Sequence, residues 1–211
     1  HDQKSVMDYV KGYQKRLNKM KNSGMTKKML EMAPKLAGLM RKMKMALFST
    51  PPMAVGYFHL YGTSYSTAVS AEIGDSPIKN WDGIGYLDFP QNKARKLAGS
   101  ELLKWKKKSY GCFSCPVQCG AILSVPEVGL EETHRPEYET LSTFGSLILN
   151  DDLMTLFKAN EYMNRVGIDS ISAGGIVAFA IECFENGIIT EKDTGGLKLH
   201  WGESDFIMPL L

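Results

Sequence analysis

The chain has 211 residues, of which 44% are hydrophobic and 23% are charged, the range of an ordinary globular protein with a sizeable core. No apolar run approaches the roughly 20 residues of a membrane span, and the lysine-rich start shows no secretory pattern. Three of the four cysteines are clustered, which is not the pattern of a disulfide framework. These features exclude a membrane-spanning or disulfide-stapled protein and favour a reducing cytoplasm.

The net charge of +2 conceals an asymmetry along the chain. Residues 1–50 contain 12 Lys and Arg residues and three acidic residues, a net +9, so the remainder carries −7. Such a stretch could contact nucleic acid, but it has no nucleic-acid-binding motif and few aromatic residues among its lysines. We therefore expect solvated helix faces, or a face that meets an acidic partner domain, and no nucleic-acid partner.

The first half of the chain predicts helices separated by breaks. Apolar residues recur at helical spacing over residues 5–21, and residues 25–48 continue as a methionine-rich helical stretch interrupted at Pro34. Together they form a basic, methionine-rich helical part over residues 1–50, which a break at residues 49–52 ends. Shorter helices are expected over residues 63–73, 91–98 and 100–108.

The second half predicts a cysteine loop and then longer helices. The loop spans residues 110–121, and a helical hairpin region follows over residues 137–187. In that region Gly167 ends one helix, Asp169 or Ser170 caps the next, and Gly187 ends it. Since no region is rich in strand patterns, the predicted fold is all-α: one multihelical domain over residues 1–211, with a cysteine-bearing loop between its two halves.

The most informative motif is the spacing C-x2-C-x3-C formed by Cys112, Cys115 and Cys119. Thiolates at this density are typical ligands of a metal ion or an iron–sulfur cluster. A cubane cluster normally takes four cysteines, so the fourth is Cys183, lies outside this chain or does not exist. Zinc would need Cys183, His59 or His134 as a fourth ligand. Cys183 shares a helix face with apolar residues, which favours a buried small hydrophobe over a ligand.

Two further segments could carry chemistry. Residues 135–140 open a helix, and these six residues alone favour solvated acids that interact with the helix N-terminus. The alternative is a buried carboxylate that faces a cofactor and acts as a general base. Residues 164–172 contain a glycine stop followed by Asp169 at a new helix start. That segment is either an ordinary tight turn or a place where Asp169 and exposed amides hold a polar heterocycle.

These segments together resemble the tungsten-dependent aldehyde:ferredoxin oxidoreductase family over roughly residues 55–205. Residues 60–63 resemble the family's glycine–threonine step, and residues 76–81 are similar to its Pro-Thr-Arg-Asn-Phe segment. Residues 112–120 resemble its cluster loop, and residues 136–140 match its Pro-Glu-Tyr-Glu-Thr. Further along, residues 164–169 are similar to the family's pterin-contacting D-x-x-G-L-D pattern. Residues 160–161 and 182–187 also have similar or matching counterparts in the family.

The resemblance implies an all-helical middle domain, a [4Fe–4S] cluster and a tungsten (or molybdenum) bis-pterin cofactor. Cys112, Cys115 and Cys119 would be three cluster ligands, and the fourth would lie outside this chain, so Cys183 would not be its equivalent. Asn164, Gly167 and Asp169 would contact a pterin, with Asn164 in place of the family's usual aspartate.

The resemblance also implies a reaction and partners. An aldehyde would be oxidised to the carboxylic acid, and ferredoxin would receive the electrons. Glu139 is the first choice for the active-site carboxylate, and Glu137 is the second.

We further expect N- and C-terminal domains of the same enzyme to be missing here, so that this piece alone is inactive, and we expect a homo-oligomer. The alternative is a stand-alone helical module that binds zinc or a partner protein without catalysis.

Overall fold

The computed structural model describes residues 3–25, 28, 32 and 51–211. The described residues fall into two compact units, one from His1–Gly62 with Ser109–Ala121 and one from Thr63–Lys108 with Ile122–Leu211. No described helix is both long and apolar enough to cross a membrane. The predicted methionine-rich helix over residues 25–48 lies almost entirely outside the described residues.

The first unit is built on two helices. Helix α1 spans Gln3–Lys21, as its apolar spacing predicts, and packs against α2, Pro51–Tyr61. Among the residues of α1 whose side chains the structure describes, Leu17 alone is buried. In α2 the rings of Tyr57 and Tyr61 are buried and stack on each other. The unit therefore buries little apolar surface among its described residues.

The second unit holds most of the described hydrophobic core. Its helices are α3 (Thr67–Ile73), α4 (Gly85–Asp88), α5 (Gln91–Ala94), α6 (Tyr138–Thr143), α7 (Leu153–Val166), α8 (Ser170–Glu185) and α9 (Ile207–Leu210). Burying each large apolar side chain contributes about 1.5–3 kcal/mol. The largest fully buried ones are Phe89, Leu97, Leu102, Leu123, Leu141, Phe144, Leu147, Ile148, Leu156, Phe157, Met163 and Phe206.

The all-α prediction is only partly correct, because the mainly helical chain also forms a small sheet. The strands are β1 (Lys106–Tyr110), β2 (Gly120–Val125) and β3 (Leu130–His134), in the order β1-β2-β3. Strands β2 and β3 are antiparallel, with Ile122 opposite His134 and Leu123 opposite Thr133. The predicted helix over residues 100–108 is a 3-10 turn, Glu101–Trp105, that runs into β1. Lys106, Lys107 and Lys108 lie in this polar strand.

Helices α6 and α8 pack closely against each other in the second unit. Gly174 of α8 faces Thr143 of α6, and a Cβ added at Gly174 would lie 2.4 Å from the Thr143 Cβ. The Thr143 hydroxyl also donates a hydrogen bond of 3.1 Å to the Ser170 carbonyl. This contact brings the segment that contains Glu137 and Glu139 beside the helix that begins at Asp169.

Candidate functional site

The cysteine loop joins strands β1 and β2, so both of its ends are held by the sheet. The Cys115 amide donates to the Cys112 carbonyl at 2.9 Å, which closes a turn. Ser114 and Gln118 have φ angles of 58° and 55°, in the left-handed region that residues other than glycine adopt mainly in turns. No disulfide joins the cysteines: Cys112 is exposed, Cys115 and Cys119 are half-buried, and Cys183 is buried.

Side chains from α1 and α2 anchor this loop. The Nδ1 atom of His59 lies 3.0 Å from the Val117 carbonyl oxygen and 3.2 Å from that of Gln118. Because a carbonyl can only accept, Nδ1 carries a proton and donates it. The Gln14 amide donates to the Ser114 carbonyl at 3.3 Å. The sequence indicates His59 only as a possible zinc ligand, because a partner 58 residues away leaves no local signal.

The three thiols supply the donor chemistry of an iron–sulfur cluster on one short loop. Among the described residues, however, no group of three or more His, Cys, Asp or Glu side chains is arranged to hold a metal ion. The loop therefore fits a cluster in its donor set, whereas the three sulfurs are not gathered around one point. The prediction that Cys183 is a buried core residue is confirmed, since it is 8% exposed.

A hydrogen-bonded group in the second unit surrounds the start of α6. Thr63 Oγ1 donates to Glu137 Oε2 at 2.6 Å and accepts from the Tyr138 backbone N–H at 2.7 Å. The Tyr138 and Ser76 hydroxyls are 2.8 Å apart. Three sequence segments that are far apart in the chain thus meet at one place, and Glu137 is fixed there half-buried. The side chain of Glu139 is exposed.

The segment between α7 and α8 forms the predicted tight turn. Gly167 ends α7 with a φ angle of 75°, and its N–H donates to the Met163 carbonyl. Asp169 caps α8 by accepting a 2.8 Å hydrogen bond from the Ser172 backbone N–H. That hydrogen bond holds the pKa of Asp169 below its ordinary value, so the exposed carboxylate is ionised at neutral pH.

Asp169 also lines a surface cavity of about 360 Å³, whereas Asn164 and Gly167 do not. Asn164 is exposed on the last turns of α7. The structure therefore places one of the three predicted pterin contacts at a cavity. The remaining lining residues are mainly apolar: Ile168, Ser172, Ala173, Ile176, Val177, Ala180, Leu210 and Leu211.

Residues 79–81 of the second unit have a strained backbone, and they belong to the segment 76–81 noted above for its resemblance to the family. Lys79, Asn80 and Trp81 have consecutive φ angles of 45°, 48° and 66°. Non-glycine residues adopt such angles only at an energetic cost, so surrounding contacts must hold them. The Asn80 amide donates to Glu182 at 2.5 Å, and the Lys79 ammonium lies 3.6 Å from the Glu185 carboxylate.

Comparison with known proteins gives a consistent result. The family model described as "Aldehyde ferredoxin oxidoreductase, domains 2 & 3" matches residues 39–211, which include the cysteine loop and the Glu137 and Asp169 segments. The tungsten-containing aldehyde ferredoxin oxidoreductase of Pyrococcus furiosus is 31% identical over 157 residues, 74% of this chain and 25% of the relative. The Pyrococcus abyssi protein of that name is 32% identical over 145 residues, 69% of this chain and 23% of the relative.

A relative with a different name is also similar. The aliphatic sulfonate oxidoreductase, WOR-like subunit, of Pyrococcus furiosus is 26% identical over 181 residues, 84% of this chain and 27% of the relative. The chain thus spans about a quarter of the length of the curated relatives it matches.

Proposed function

Because this chain belongs to the aldehyde ferredoxin oxidoreductase family of enzymes, we propose that it is part of a tungsten-pterin oxidoreductase that oxidises aldehydes to carboxylic acids. In this reaction the aldehyde and one water give the acid, two protons and two electrons. The acceptor of the two electrons would be ferredoxin in the cytoplasm, and a [4Fe–4S] cluster would supply their one-electron transfer. The observation that carries the proposal is the set of three thiols on one anchored loop, within the region that matches the family.

Cys112, Cys115 and Cys119 would hold the cluster, with a fourth ligand from outside this chain. When bound, the cluster supplies one-electron transfer, and the tungsten pterin supplies two-electron oxidation of the aldehyde carbon. Asp169 would accept hydrogen bonds from the N–H groups of the pterin, since it is ionised and exposed at a cavity. Asn164 would contact the same cofactor through its side-chain amide, and Gly167 would contact it through the backbone of the turn.

Glu137 is the better candidate for the active-site carboxylate, and this reverses the order expected from the sequence. Thr63 fixes Glu137 by donating to Oε2, which leaves Oε1 to accept a proton from the water that adds to the aldehyde carbon. The carboxylate of Glu139 is exposed and forms no hydrogen bond or ion pair with any described residue. A base must be held in place to act, and that requirement supports Glu137.

The experiment is an anaerobic assay of the full-length enzyme with short aliphatic and aromatic aldehydes. We expect tungsten and iron in the purified protein, reduction of a viologen dye that depends on aldehyde, and the matching acid as product. Replacing Cys115 by Ser should lower the iron content, whereas replacing Cys183 by Ser should not. A protein that contains tungsten and iron but produces no acid from any of these aldehydes would refute the proposal.

A further inference from the structure

Helix α1 carries an unusual concentration of positive charge. Its 19 residues include six basic side chains and one acidic side chain, Asp8. Lys11, Lys15 and Lys19 recur every four residues, so they lie along one face of the helix, which we call the lysine stripe. All three are exposed, and no described acidic side chain forms an ion pair with them. Their charge is therefore not neutralised by the described part of the molecule.

The lysine stripe belongs to the same compact unit as the cysteine loop. Gln14, whose amide holds the Ser114 carbonyl, lies on α1 three residues after Lys11, so the two side chains are neighbours on the helix surface. The loop itself presents Phe113, which is 99% exposed. Tyr9 and Tyr13 of α1 stack at 6.4 Å and are also exposed, 69% and 46%. Exposed aromatic residues are enriched in protein interfaces.

From these features we infer that the lysine stripe is the docking surface for a small acidic electron-carrier protein, an inference that rests on the function proposed above. Cys112, Cys115 and Cys119 would hold the cluster, which would supply one electron to the oxidised carrier in each encounter. A positive surface beside the donor loop raises the association rate of an acidic carrier and turns its acidic face towards the loop. Interfaces of this kind are small and short-lived, so a helix face with few apolar anchors is sufficient.

The presence of redox ligands on the neighbouring loop favours a carrier protein over nucleic acid or a lipid surface. Either of those would bind the same lysines, but neither would have a reason to lie beside three cysteines. The test must therefore separate these three ligands by experiment.

The test compares two charge-reversal variants of the full-length enzyme. The first is Lys11→Glu with Lys15→Glu in the lysine stripe. The control is Lys158→Glu with Lys192→Glu, exposed lysines of the second unit that produce the same change in net charge. A plant-type ferredoxin is the acidic probe, and its reduction is followed over a range of salt concentrations. Viologen reduction is measured in parallel, since a small dye needs no docking surface.

We expect the stripe variant to reduce the plant-type ferredoxin at least about tenfold more slowly at low salt, with a smaller difference at high salt. Its viologen reduction should equal that of the wild type, and the control variant should behave like the wild type with both acceptors. Equal losses in the two variants, or no loss in the stripe variant, would overturn the inference.

Two further measurements complete the test. Binding of the wild type, but not the stripe variant, to vesicles of phosphatidylglycerol or to a 20-base-pair DNA, with unchanged ferredoxin kinetics, would overturn the inference in favour of that ligand. If the wild type does not reduce viologen with any aldehyde, the proposed function fails. Calorimetric titration of the plant-type ferredoxin into the wild type and the stripe variant then tests docking alone, and absence of the expected difference overturns it.

Discussion

At the scale of single residues, Thr63 has two roles. Its hydroxyl donates to the Glu137 carboxylate and accepts from the Tyr138 backbone N–H, one of the amides that a helix N-terminus leaves without a partner. A hydroxyl has one proton to donate, so these two bonds fix its orientation. Neither Glu137 nor the first turn of α6 can move without breaking a bond to Thr63.

Replacing Glu137 by Gln in the full-length enzyme should lower kcat by about 10²–10⁴-fold, the contribution typical of a general base. The fold should survive, because the Gln carbonyl still accepts the Thr63 hydrogen bond. Replacing Glu139 by Gln, an identical chemical change two residues away, should change kcat little. Tungsten and iron contents, measured in both variants, should equal those of the wild type. A larger loss at position 139 would restore the order expected from the sequence.

Replacing Cys183 by Ser should lower the free energy of unfolding by about 1–3 kcal/mol, because a hydroxyl would be buried without a strong partner. The same substitution at exposed Cys112 should change it by less than about 0.5 kcal/mol. Urea unfolding of the metal-free protein measures both. Equal stability of the two variants would mean that the side chain of Cys183 is not packed in the core.

At the scale of elements, prediction from the sequence succeeded where the chain itself marks a boundary. Helix α7 ends before Gly167 and α8 begins after Asp169, as the glycine and the cap indicate. The cap of α7 is Asp152, whose side chain accepts from the Met154 backbone N–H. Strand β1 was missed because its sequence, Lys-Lys-Lys-Ser-Tyr, has no alternation of apolar and polar residues. Its conformation depends on pairing within the sheet, which no local pattern encodes.

Two adjacent glycines of α8 offer a matched pair of substitutions. Replacing Gly174 by Ala places a Cβ 2.4 Å from the Thr143 Cβ, so the α6–α8 contact must open, at a cost of about 1–3 kcal/mol. Replacing Gly175 by Ala meets nothing within 4 Å, and the better helix propensity of alanine should stabilise the protein by up to about 1 kcal/mol. Thermal unfolding of both variants checks the opposite signs, and shifts of the same sign would contradict this packing.

The N-terminal cap of α7, Asp152, predicts that the stability of the protein depends on pH. Burial of Asp152 disfavours its charged form, but hydrogen bonds from Thr155, Ser204 and the Met154 N–H outweigh that effect and lower its pKa. Because the pKa of Asp152 is lower in the folded state, its ionised carboxylate stabilises the protein at pH values above the unfolded-state pKa of about 3.9. This stabilisation is lost as the pH falls through the folded-state pKa.

The variant Asp152→Asn keeps an acceptor but loses the charge. It should therefore be less stable than the wild type by about 1 kcal/mol at pH 7, because charge-assisted hydrogen bonds are stronger than neutral ones. The difference should shrink steadily below pH 4. Chemical unfolding at a series of pH values measures it, and a difference that is constant down to pH 2 would show that the charge contributes nothing.

At the scale of the whole molecule, the two units differ in how much apolar surface they bury. Among the described side chains of α1 only Leu17 is buried, whereas α7 buries Leu156, Phe157 and Met163 among others. Amides of α1 should therefore exchange with deuterium at least about 100-fold faster than those of α7 at neutral pH. Exchange followed by mass spectrometry resolves the two helices, and equal protection would contradict the difference in burial.

The association of the cysteine loop with the first 62 residues could not be predicted from the sequence. The sequence identified the loop, its three thiols and its position between two helical parts. The bonds that place the loop come from Gln14 and His59, which are 100 and 58 residues away from their partners. Side chains of this kind give no local signal. The prediction of a single domain over residues 1–211 stays a prediction.

That the first unit is discontinuous imposes an order of events during synthesis. His59 leaves the ribosome 58 residues before the carbonyl that it holds, which at 5–20 residues per second is roughly 3–12 s. Throughout that interval α1 and α2 are present without the loop, and the thiols that follow reach them by closing a long chain segment. Closure over such distances in sequence is slow compared with helix formation. The cysteine loop is therefore the last part of its unit to fold. Any cofactor that it binds must arrive after the helices that support it have been synthesised.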